Sequence, residues 1–112
     1  MPTGTDRPIA SHPAIRLTVL LGVRDQTHHH SLSVTLMDKA RKAGLSGATL
    51  FQALEGYGIS GKLHRTHLFA EDAPLNLVIV DTPERIDAFI ESVHELLEGV
   101  SFMLSPVDVI DF

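Results

Sequence analysis

Seven histidines in 112 residues are the first candidates for chemistry. Imidazole titrates near neutral pH and ligates zinc, copper or nickel, so it suits a solvated loop, an anion contact or a metal. His28, His29 and His30 are consecutive. Neighbouring side chains leave the backbone in different directions, so three in a row rarely serve one ion. His64 and His67 flank Arg65 and Thr66. On a helix that spacing would place both on one face, but the segment reads as a loop or strand start. A zinc ion there would need a carboxylate or a second subunit to complete its shell. No metal ligand set is assigned. Glycines offer a different chemistry. Glu55-Gly56-Tyr57-Gly58 is a flexible turn, and Gly61 and Lys62 follow. Their spacing is not that of a P-loop, and no helix pattern follows. Backbone N–H groups there can still form a looser anion nest, with Lys62, His64 and Arg65 supplying positive charge. Covalent catalysis has little to work with. There is no cysteine and no Gly-x-Ser-x-Gly, and no serine has a base at useful spacing. A binding protein is expected, not an enzyme.

Composition narrows the partners. Fourteen acidic residues against nine basic ones give a net charge of −5, which disfavours nucleic acid. One Tyr and no Trp leave little for stacking bases. The cluster Lys39, Arg41 and Lys42 reads as the solvated last turn of a helix, favoured by its dipole. No apolar run approaches the ~20 residues of a membrane span. Residues 1–13 have no apolar core of a signal peptide, so the cytoplasm is expected. Those residues read as a disordered arm, and residues 14–112 as one domain.

The elements that must position these groups follow from periodicity. Residues 15–23 open with Ile15, Leu17 and Val19 alternating with Arg16 and Thr18, a strand with one covered face. Residues 24–30 are a polar loop. Leu32, Leu36, Ala40 and Ala43 form a helical stripe, with Ser31 as N-cap and Gly44 as the residue that ends the helix. Residues 48–54 are a buried second strand. Residues 56–66 form a mobile loop. Residues 75–80, Leu-Asn-Leu-Val-Ile-Val, are a central strand. Thr82 caps a second helix with Pro83 in its first turn. Ile86, Phe89, Ile90, Val93 and Leu97 form its apolar face, and Glu84, Asp87, Glu91, Glu95 and Glu98 a solvated one. Residues 101–110 are the last strand, and Pro106 bends it or puts it at an edge. The order β-α-β-β-α-β predicts an α+β, ferredoxin-like domain with a four-stranded antiparallel sheet under two helices. The uncovered sheet face then calls for another subunit.

Several segments together resemble the PII-like family catalogued as domain of unknown function 190, a relative of the PII signalling proteins. They are residues 40–49 (Ala-Arg-Lys-Ala-Gly-Leu-Ser-Gly-Ala-Thr), 55–58 (Glu-Gly-Tyr-Gly), 62–65 (Lys-Leu-His-Arg), 71–74 (Glu-Asp-Ala-Pro) and 79–86. The resemblance covers about residues 15–112. It implies a homotrimer that senses a small ligand at the cleft between subunits, in PII proteins usually an adenine nucleotide (AMP, ADP or ATP). It implies a T-loop, here residues 56–73, that signals to a partner, with a membrane transporter as a candidate. Thr49 matches the PII threonine near the adenine. Gly56, Tyr57 and Gly58 match the glycine pair near the phosphates. With Glu55, Lys62, His64 and Arg65 they make up the expected ligand site. Between Thr49 and Gly56 the chain has one residue more than PII, which predicts a bulge or a shifted register. The glycine-rich loop before the last PII strand is reduced to Gly99. A divalent-metal trimer similar to CutA is the alternative expectation.

Overall fold

Apolar residues alternating along the first strand set up the whole sheet. In the computed structural model, which describes residues 10–22, 26–27, 30–53, 55–56, 64–65 and 74–111, they lie on β1 (Ala10–Gly22). Two-residue strands β2 (Gln26–Thr27) and β3 (His30–Ser31) pair with each other just before helix α1 (Leu32–Lys42). The segment expected as a plain loop therefore contains a short ladder. The chain continues through β4 (Ala48–Gln52), β5 (Glu55–Gly56), β6 (His64–Arg65) and β7 (Pro74–Asp81). Helix α2 (Pro83–Val93), a 3-10 turn (His94–Leu97) and β8 (Ser101–Asp111) complete it. The main sheet has the order β4-β7-β1-β8, antiparallel throughout. Two βαβ units interleave in it, the predicted ferredoxin-like arrangement.

Strand β1 starts earlier than expected. Residues 10–13, read as part of the arm, pair with residues 108–111 of β8. His12 Nδ1 lies 2.9 Å from Asp111 Oδ2 at that end. Residues 1–9 and Val23 lie outside the described residues.

The core is one-sided. Leu17, Val19 and Leu21 of β1 stand opposite Ile79, Leu77 and Leu75 of β7. Leu32, Leu36 and Ala40 of α1 cover this face, with Ile86, Phe89 and Val93 of α2 and Leu97 beyond it. The predicted helical stripes are therefore the buried ones. Thr82 caps α2, its hydroxyl accepting the Arg85 N–H at 3.3 Å. Ser31 stands at the N-cap of α1 but makes no capping bond with its side chain. Its hydroxyl pairs with that of Ser33 at 2.9 Å instead.

Among the described residues, no helix covers the opposite face. Register puts Phe51, Asn76, Leu20 and Ser101 in one row across it, and Thr49, Val78, Thr18 and Met103 in the next. Leu20 is 42% exposed, Phe51 52% and Met103 49%. β4, expected to be buried, is an edge strand with Thr49, Leu50, Phe51 and Gln52 all exposed. Its apolar side chains reflect a face made to be covered, which is not covered within the single chain. β8, with Pro106, is the other edge. No described helix is long and apolar enough to cross a membrane.

Candidate functional site

The segment from Gly44 to Gly56 is positioned from both ends. At its start α1 stops in a Schellman-type cap. The Gly44 N–H bonds the Arg41 carbonyl at 3.0 Å, and the Leu45 N–H reaches back to the Ala40 carbonyl at 3.2 Å. Gly44 has φ +74°, the left-handed region that glycine enters without strain. A Cβ there would meet only the Arg85 Nη2 at 3.5 Å, an ordinary contact. Gly44→Ala is therefore expected to lower stability by about 1 kcal/mol, from backbone strain alone. A urea melt checks this, and an unchanged midpoint would reject the cap assignment.

Beyond the turn, β4 runs in continuous register with β7, Ala48 opposite Ile79 through Gln52 opposite Leu75. The Ala53 N–H still bonds the Pro74 carbonyl at 2.8 Å. The bulge expected from the extra residue is absent from this stretch. Alternation splits β4 into two sides. Thr49 and Phe51 belong to the helix-free sheet face, opposite Val78 and Asn76. Ala48 and Leu50 face a groove of about 480 Å³ between β4 and α1. Val34 and Met37 line its apolar wall, while Asp38 and Arg41 bring charge to it. Asp38 is held by Lys42 at 2.9 Å and Arg41 at 3.3 Å. Hydrogen bonding from Lys42 outweighs partial burial and keeps this carboxyl below its ordinary range.

The expected ligand residues are brought together in part. Glu55 stands opposite Arg65, and Gly56 opposite His64, in the β5–β6 ladder. A stretch read as loop is thus the base of a hairpin. Tyr57, Gly58 and Lys62 lie outside the described residues, as do His28, His29 and His67. Thr49 is on β4, which leads into the hairpin. Among the described residues no group of three or more His, Asp or Glu side chains is arranged for a metal.

Sequence reasoning passed over the groove and one polar cluster. Val34 falls outside the stripe of α1 and is 64% exposed. That placement was the available signal for a second apolar surface. Asp81, just ahead of the α2 cap, is 5% exposed. Burial alone would raise its carboxyl. The Ser46 N–H at 2.8 Å, the Thr82 N–H at 2.7 Å, the Ser46 hydroxyl and Arg85 overcome that and hold it below the usual value.

Comparison with known proteins agrees with this architecture. A model of the family DUF190, described as Uncharacterized ACR, matches residues 14–109. The UPF0166 protein of Aquifex aeolicus (strain VF5) is 34% identical over 77 residues, which is 67% of this chain and 72% of the relative. Among solved structures, CPII of Thiomonas intermedia K12 is a nitrogen regulatory PII-like protein bound to ADP, AMP and bicarbonate. It superposes with a TM-score of 0.65 at 21% identity, over 93% of this chain and 92% of that one. CutA of Synechococcus elongatus PCC7942 gives 0.62 at 12% identity, over 93% and 85%. At these identities the two structures speak for the fold.

Proposed function

Because the chain belongs to the DUF190 family and has the fold of PII-like proteins, we propose that it is a trimeric sensor of an adenine nucleotide. The ligand lies in the cleft between subunits, against Thr49 and the hairpin base that carries Glu55, Gly56, His64 and Arg65. Residues 56–73 pass its occupancy to a partner protein, for which a membrane transporter is the candidate class. The chain acts by binding and not by catalysis.

One observation carries this reading. An exposed edge strand, with apolar residues on both of its sides, comes in sequence just before the hairpin that pairs those four residues. A second subunit laid against that strand would close a cleft at the hairpin base. The relative fold bound to ADP, AMP and bicarbonate supports the choice of ligand.

Isothermal titration with AMP, ADP and ATP tests it. Saturable binding near one nucleotide per subunit is expected. Arg65→Ala is expected to weaken it roughly ten- to a hundredfold, since a hydrogen bond to a charged group contributes roughly 1.5–3 kcal/mol. No heat with any of the three nucleotides would reject the reading.

A further inference from the structure

The turn that delivers β4 is gripped from the end of β7 and the first turn of α2. Leu75, Leu77, Ile79 and Asp81 occupy successive buried positions along one side of β7. An apolar fourth residue would simply extend that row. Asp81 instead spends its two oxygens on backbone donors. Oδ2 accepts the Ser46 N–H at 2.8 Å, and Oδ1 accepts the Thr82 N–H at 2.7 Å. Arg85, one turn into α2, places Nη1 3.7 Å from Asp81 Oδ2. Its Nη2 donates to the Gly44 carbonyl. A carboxylate and a guanidinium therefore hold both ends of the same turn, the carbonyl of Gly44 and the amide of Ser46. The turn's own side chain, Leu45, packs on the core and lines the groove beside Gly47 and Ala48. Thr49 follows directly on the opposite side of the strand.

We propose that Asp81 and Arg85 are positioning residues for the ligand cleft. They form a latch from the start of α2 to turn 44–47, and the latch sets where β4, and with it Thr49, stands. Neither residue needs to touch the ligand. The inference rests on the cleft assigned above, but the latch has a readout of its own. Arg85 is the residue to change, because its side chain is 45% exposed and not part of the core.

Hydrogen exchange and ADP titration on the full chain, with Arg85→Met and Arg85→Lys beside the parent, test it. In Arg85→Met the amides of residues 46–50 are expected to exchange about tenfold faster. The amides of Leu17, Leu77 and Ile79 should keep their parent rates. ADP affinity should fall in the same variant. Arg85→Lys, which keeps a cationic donor, is expected to restore most of both. Parent-like exchange at residues 46–50 in Arg85→Met would overturn the latch. So would equal acceleration in β1 and β7, since that marks general destabilisation. If the parent itself binds none of AMP, ADP and ATP, the cleft reading falls, and the exchange pattern then decides the latch by itself.

Discussion

Leu20→Glu is expected to turn the proposed trimer into single, folded subunits. Leu20 lies in the middle of the helix-free sheet face, between Asn76 and Ser101, in the row that also holds Phe51. It is 42% exposed in the single chain and is not part of the one-sided core. A glutamate there would have water around it in a monomer. In an assembly that covers the face, each subunit would bury an unpaired carboxylate, a penalty on the order of 3–5 kcal/mol per site. Light scattering should report one subunit mass in place of three, while far-UV circular dichroism stays that of the parent. A variant that remains trimeric would mean that the subunits meet elsewhere, and Met103→Glu on the next row would check the same face independently. Loss of nucleotide binding along with the trimer would further place the cleft between subunits.

The second large effect belongs to Asp81. Asp81→Ala removes the acceptor for two backbone N–H groups and the partner of Arg85. Hydrogen bonds to a charged group contribute roughly 1.5–3 kcal/mol each when buried, and water can reach part of what is exposed, so a loss of about 3 kcal/mol at pH 7 is expected. The pH dependence follows from the direction of its shift. The folded carboxyl titrates below the ordinary value of about 3.9. Its stabilisation is therefore complete above that value and is lost as the pH falls through the lower folded one. Urea melts from pH 7 down to pH 2 should show a parent that loses stability on acidification and an Asp81→Ala variant that loses distinctly less. Parallel curves would remove Asp81 from its assigned place.

The architecture was legible because period and burial agree along most of the chain. Alternation at Ile15, Leu17 and Val19 and the stripe Leu32, Leu36, Ala40 mark faces that bury within one subunit. Pro83 behind Thr82 marks a helix start by backbone chemistry alone. Gly44 was read correctly for the same kind of reason. The errors occur where a residue's partner is not shown by the periodicity of its own segment. Leu50 and Phe51 look like core residues by composition, yet the strand that carries them lies at an edge. Hydrophobicity reports that a surface is to be covered and not by what. Ser31 has the right type for a cap, but Ser33 offers its hydroxyl a competing partner. Asp81 was invisible as a structural centre because Ser46 lies thirty-five positions away in sequence. For the proposed ligand site, membership rests on the sequence resemblance alone, and register adds the pairing of Glu55 with Arg65 and Gly56 with His64.

The pairing of β1 with β8 also dictates an order of events during synthesis. β1 is the central strand that emerges first, yet one of its two neighbours is the last strand of the fold. Contacts so far apart along the chain are slow to form, because a long loop must close before they reward it. Until β8 has left the ribosome, β1 presents an open hydrogen-bonding edge beside an apolar face. A nascent chain in that state can pair with its neighbours on the same message as readily as with itself. Slower translation through the last strand should then raise the aggregated fraction, and co-expressed chaperones should lower it.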